Sequence, residues 1–144
     1  MALLSETDRQ IVREHLAGVQ QQVTLLLFTQ TIGAPETAAL ARQVLEEVAS
    51  LNELISVEEV NFVLERDRAA QYGVENIPAI VLLSNGEDTR MRFLGAPAGY
   101  EFSSLIEAVT LAGTTDSRLS PDSRSLIAAN VTAPLDIQVF VTPT

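Results

Sequence analysis

Residues 23–30 read VTLLLFTQ, a short and almost continuously apolar run bounded by polar residues. Such a run has no polar face to offer water, so it fits a strand buried on both sides of a sheet. A sheet covered on both faces needs helices, and the flanking sequence supplies them. Upstream, residues 5–19 set Ile11, Val12, His15, Leu16 and Val19 at helical spacing behind a Ser5 or Thr7 cap. Downstream, TIGAPETAALARQVLEEVASL puts Pro35 at a first helical position and Glu36 at the positive end of the helix dipole. Leu40, Val44, Leu45, Val48 and Leu51 then form one apolar face.

Residues 56–63, SVEEVNFV, read as a second strand, and ERDRAAQYG as a short helix that Gly73 stops in a left-handed conformation. IPAIVLLSNGEDTRMRFLG holds two apolar runs around Ser84-Asn85-Gly86, the strongest hairpin signal in the chain. GAPAGYEFSSLIEAVTLAG enters a helix with Phe102, Leu105, Ile106 and Val109 on one face and Gly113 at its end. Strands alternating with helices imply parallel pairing, while the Asn-Gly turn makes the last pair antiparallel. The expectation over residues 1–114 is an α/β fold, a mixed four-stranded sheet with flanking helices: the thioredoxin architecture. Residues 115–144 stand apart as a polar linker, a helix opened by Ser120 and Pro121, and LDIQVFVT, in which Leu135, Ile137, Val139 and Val141 alternate with other residues. This helix-then-strand pair repeats the opening order of the chain, as the start of a second unit.

Composition narrows the chemistry. There is no cysteine, which excludes a disulfide framework, a thiolate metal site and thiol catalysis within these 144 residues. The single histidine, His15, leaves no material for a Ser-His-Asp triad or a histidine-rich metal cluster. Its place on a helix predicts a packed or half-exposed side chain. A formal net charge of −10 disfavours nucleic acid and anionic lipid as partners. All nine basic residues are arginine, which fits a bias of genome composition. MALLSETDRQIVREHL lacks the basic-then-apolar layout of a signal peptide, and the longest apolar run is far too short to span a bilayer. A soluble, cytoplasmic protein is the expectation. The carboxylates Glu46, Glu47, Glu53, Glu58 and Glu59 match no calcium-loop pattern and read as a solvated face. The loop of residues 95–99, GAPAG, lacks the lysine of a phosphate-binding loop and reads as the angle between strand and helix. No cofactor or metal is expected.

Three stretches carry a resemblance. YGVENIPAIVLLSNGE resembles the thioredoxin-family segment that leads through a cis-proline into the central strand and hairpin. RFLGAPAGYEFSSLIEAV is similar to the first half of the two-unit, glutaredoxin-like protein disulfide oxidoreductases, and to the N-terminal domain of the flavoprotein subunit of alkyl hydroperoxide reductase. VFVTPT resembles the strand and loop that in those oxidoreductases run into a Cys-Pro-Tyr-Cys-type motif. The resemblance implies a first unit (residues 1–114) plus the opening of a second (residues 115–144), cut one residue before its first cysteine. It also implies a truncated form of a longer oxidoreductase, or a stop at that codon, a UGA for selenocysteine being one specific case.

Disulfide exchange needs a thiolate, favoured at a helix N-terminus, and a second thiol three residues on. The resemblance puts those two positions near Pro35 and Ala38, and the loop through Ala34, Pro35, Glu36, Thr37 and Ala38 holds no sulfur. The redox loop is therefore read as degenerate, with no catalytic residue. Ile77-Pro78 is the remaining feature. By resemblance it is a cis-proline edge where an extended peptide docks, and by local chemistry alone Pro78 only shapes the entry to a buried strand. The expected function is a redox-inactive scaffold or docking half of a dithiol–disulfide oxidoreductase. Its partner would be the missing catalytic thioredoxin-like half or a redox partner protein. The rival is a stand-alone, cysteine-free binding or assembly module. The apolar strand near the end of the chain needs cover, so it is expected to dock on its own chain or to exchange in a homodimer.

Overall fold

The computed structural model describes residues 2–142. Nine elements follow in order: α1 (Glu6–Leu16), β1 (Val23–Thr29), α2 (Glu36–Ala49), β2 (Ile55–Asn61), α3 (Arg66–Gln71), β3 (Ala79–Ser84), β4 (Glu87–Leu94), α4 (Glu101–Thr114) and α5 (Pro121–Asn130). The strands form one sheet in the order β2-β1-β3-β4. The α/β class and the mixed four-stranded sheet are those the sequence predicts.

Pairing departs from the alternation rule at one place. β1 and β2 are parallel, but β3 runs antiparallel to β1 as well as to β4. A parallel crossover carries the chain the length of the sheet and back on a packed helix. α3 has only six residues and leaves β3 free to enter from the end at which β2 finishes. The hairpin between β3 and β4 turns at Asn85 (φ 48°) and Gly86 (φ 82°), the left-handed pair that a tight two-residue turn requires.

β1 is the hub, and its side chains divide the core. Val23, Leu25 and Leu27 face α1, α2 and α4, together with Ile80 and Leu82 of β3. Leu26 and Phe28 face the other way, towards α3, with Val60, Val81 and Ala79. Fully burying one such side chain stabilises the fold by about 1.5–3 kcal/mol, so these two strands anchor the domain.

Three boundaries differ from the periodicity. Pro35 is the cap residue and the helix begins at Glu36. β2 stops at Asn61 because the Asn61 side-chain oxygen accepts from Val63 N and Leu64 N, both at 3.0 Å, and so turns the chain. Gly113 sits inside α4, which ends instead at left-handed Thr115. His15 is exposed, as is Ile11, because the buried stripe of α1 is only Val12 and Leu16.

α5 forms where Ser120 and Pro121 start it, with Ser120 Oγ accepting from Ser123 N at 3.1 Å. None of its residues is buried. Residues 135–142 join no ladder among the described residues, and Leu135, Ile137, Val139, Phe140 and Val141 are exposed. A strand needs a neighbour to bond, and the four places in the sheet are already filled. Pro143 and Thr144, the end of the VFVTPT resemblance, lie outside the described residues.

Candidate functional site

The ladder registers bring four chain ends to one end of the sheet. Thr29 stands beside Asn61, Phe28 opposite Ala79, and Ala79 opposite Leu94. The ends of β1, β2 and β4 therefore meet the start of β3. Both sequence-predicted features, the loop before α2 and Ile77-Pro78, lie at this end.

The loop is built by local bonds. Gly33 takes φ 70°, and its carbonyl accepts from the Gln30 amide at 3.0 Å. Pro35 O then accepts from Ala38 N at 2.9 Å, closing the first turn of α2. Ala34, Pro35, Glu36 and Thr37 are exposed, while Ala38 is buried. No side chain caps this helix. Its first amides and its positive dipole end thus face solvent, which is the electrostatic setting that stabilises an anion such as a thiolate. The chain places no thiol there, and the acidic residue of this first turn is Glu36. Behind the loop, Thr29 is buried and its Oγ1 has no hydrogen-bond partner among the described residues. Nothing in the strand pattern marked it.

The Ile77–Pro78 peptide bond is cis. Pro78 is buried and its carbonyl accepts from Gly95 N at 2.8 Å, which ties the loop of residues 95–99 to the start of β3. Ile77 is half-buried against the α3 side of the core, and no backbone hydrogen bond reaches it among the described residues. Phe28 and Tyr72 meet edge to face (ring centroids 6.1 Å apart), and the Arg92 guanidinium lies 6.0 Å over Tyr72 while donating to its carbonyl at 3.1 Å.

Sequence reasoning missed the apolar rim around these features. Ile32 in the loop is 88% exposed, Leu64 after β2 82% and Leu94 at the end of β4 68%. Val63 is exposed beside Leu64. The available signal, at Ile32 and Leu64, was an apolar residue in the turn just after a strand, which periodicity assigns to no face. Beside the rim a cleft of about 440 Å³ opens between Phe62, Arg66, Ala70 and Val74.

The other candidates lie elsewhere. His15 is near the opposite end of the sheet, where Asn52 at the entry to β2 donates to Leu16 O at 2.9 Å. The five carboxylates do not converge. Glu47 accepts from Leu3 N (2.6 Å), Leu4 N (3.1 Å) and Arg9 Nη1 (2.9 Å). Burial pushes its pKa up, but those three bonds outweigh it and hold the carboxyl below its ordinary value. Glu58 and Glu59 are lowered chiefly by hydrogen bonds from Arg68 and Arg42. Among the described residues, no three histidine, aspartate or glutamate side chains come together to hold a metal ion, and no helix is long and apolar enough to cross a membrane.

No protein-family model matches the chain, and no curated protein matches its sequence. Solved structures do match. The C503A mutant of the alkylhydroperoxide reductase AhpF from Enterococcus faecalis (V583) is 31% identical, with a TM-score of 0.80 over 88% of this chain and 60% of that one. The NTD_N/C domain of the same reductase gives the same values. The Aeropyrum pernix K1 protein disulfide oxidoreductase is 22% identical, with a TM-score of 0.75 over 88% of this chain and 55% of that one. Fasciola hepatica thioredoxin, at 18% identity and a TM-score of 0.52, covers 69% of this chain and 88% of its own. The chain thus spans about 60% or less of the first three structures. It has the thioredoxin-like fold, and over most of its length it is similar to the N-terminal domain of the alkylhydroperoxide reductase AhpF and, in fold, to a protein disulfide oxidoreductase.

Proposed function

We propose that this chain is the redox-inactive docking half of a dithiol–disulfide oxidoreductase, with residues 115–142 as the opening of a second thioredoxin-like unit. It works in the cytoplasm and holds a partner rather than reacting with it. The catalytic half, or a redox partner protein carrying Cys-x-x-Cys, supplies the thiols that this sequence lacks. The carrying observation is the rim: Ile32, Leu64 and Leu94 are exposed around a cysteine-free loop, beside an Ile77 backbone that no other backbone group bonds. Exposed apolar side chains gathered at one end of a sheet mark a place where something sits. An unbonded backbone amide and carbonyl offer an extended peptide its first two hydrogen bonds.

The test is an NMR titration of the full chain with carboxymethylated insulin B chain, an extended apolar polypeptide. The expected result is shifts concentrated at Ile32, Leu64 and Ile77, with no insulin reduction by the chain itself under dithiothreitol. Shifts spread elsewhere, or none at millimolar peptide, would overturn the docking reading.

A further inference from the structure

We propose that residues 135–141 of one copy occupy the strand-end rim of a second copy, making the chain a self-docking unit. This rests on the docking reading above and names what fills the rim when the chain is on its own. Among the exposed apolar features of the described residues, two suit each other. One is the rim, with the cleft beside α3. The other is residues 135–141, in no helix or ladder, where Leu135, Ile137, Val139 and Val141 alternate with other residues and Phe140 is 89% exposed.

The segment does not sit on its own rim, since both remain exposed. It also leaves the domain at the far end. α4 starts at the rim end and finishes where Ser84 Oγ donates to Ala112 O at 2.6 Å, beside the hairpin turn.

Both sheet edges disfavour it. Glu58 and Glu59 of β2 are held by Arg68 and Arg42, so the edge carries paired charges. β4 is bulged opposite residues 81–83, with Arg90 at φ 66°, which breaks a regular ladder. The rim offers apolar side chains beside the Ile77 backbone, which no backbone group bonds among the described residues.

Charge favours a copy of the same chain at this point. The whole chain carries −10, but residues 119–142 hold only Asp122, Arg124 and Asp136, a net −1. This is the stretch with which one acidic molecule can touch another at little repulsion. Asp136 is the only charge in residues 133–142, and Arg66, close to Leu64 at the start of α3, is exposed and forms no ion pair among the described residues. Placing Asp136 near Arg66 fixes the direction of the segment along the cleft.

The experiment is sedimentation equilibrium of the full chain and three variant sets. Wild type is expected to associate with increasing concentration. Ile137→Asp/Val139→Asp and Leu64→Asp each weaken association by more than about tenfold, because each buries a charge in an apolar contact. A mixture of the two forms heterodimers, since one tail and one rim stay intact. Arg66→Glu and Asp136→Arg each weaken association about threefold, and the double reversal restores it. A wild-type monomer at all concentrations, or association indifferent to Leu64→Asp, overturns the proposal. Insulin B chain separates the two claims. If it binds the rim while the chain stays monomeric, the docking reading stands and self-docking falls; if it does not bind and the chain stays monomeric, both fall.

Discussion

Gly113 lies within α4 because the helix passes too close to Val19 for a side chain. A Cβ built there would stand 2.6 Å and 2.8 Å from the two Val19 methyl carbons. Two effects compete in Gly113→Ala. Helix propensity favours alanine by about 1 kcal/mol, while overpacking a buried contact costs about 1–3 kcal/mol. Val19 is buried and has little room to move, so the second wins. The expected outcome is a net loss of about 1 kcal/mol in urea unfolding. Thr29 gives the opposite sign. Its buried hydroxyl lacks a partner, and removing it in Thr29→Val should raise stability by roughly 1 kcal/mol in the same measurement. Glu47 sets the acid response. Its folded pKa lies below the ordinary 4.5, so the stability it contributes is complete above that value and fades as pH falls through the folded pKa. Glu47→Gln should therefore unfold more easily than wild type at about pH 7, by about 1–2 kcal/mol. The two should converge at a pH below the folded pKa, where the wild-type carboxyl is itself protonated.

At the scale of elements, the loop before α2 is the part where redox chemistry can be tested directly by substitution. Pro35 and Ala38 are three residues apart across the first turn of α2, one exposed and one buried. That spacing on a helix sets the Cα atoms about 5 Å apart, within the range a disulfide spans. The double substitution Pro35→Cys/Ala38→Cys is expected to form an intramolecular disulfide and to gain insulin reduction. The thiol at position 35 should titrate below the free value of about 8.5, because the uncapped helix end favours its anion. Thiol counting under oxidising and reducing conditions checks it. A pair that stays open to thiol reagents after oxidation would show that the loop lacks redox-site geometry. What was legible in the sequence follows the same local logic. Asn85-Gly86 and Gly73 declared their turns because left-handed backbone needs those residue types. β1 and β3 declared themselves by having no polar face. The direction of β3 was not legible, since it depends on how far a six-residue helix can carry the chain. The bulge at residues 89–90 is held by Thr89 Oγ1 donating to Leu82 O at 2.7 Å, a cross-strand contact that no linear pattern encodes. The rim was hidden for a similar reason. Ile32, Leu64 and Leu94 are far apart in sequence, and only the register of four strands collects them at one end.

For the molecule as a whole, shape and charge are divided unevenly. Residues 2–114 hold every buried residue among those described and carry almost all of the negative charge. Residues 119–142, Ser123 aside, are exposed, nearly neutral and rich in apolar side chains. Self-docking therefore sets apolar burial and one ion pair against the repulsion of two chains of −10. Salt decides which dominates. The screening length falls from about 10 Å at 0.1 M to about 3 Å at 1 M, which removes most of the repulsion between the acidic bodies. The Arg66–Asp136 contact, being a surface pair, is worth about 0.2–1 kcal/mol and loses part of that in salt. The repulsive term extends over many charges and the attractive one over two. The expected outcome is association that strengthens as sodium chloride rises from about 0.05 M to about 0.5 M. Sedimentation equilibrium at the two salt concentrations measures it. Association that weakened instead would mean that ion pairs, rather than the apolar tail, hold the copies together.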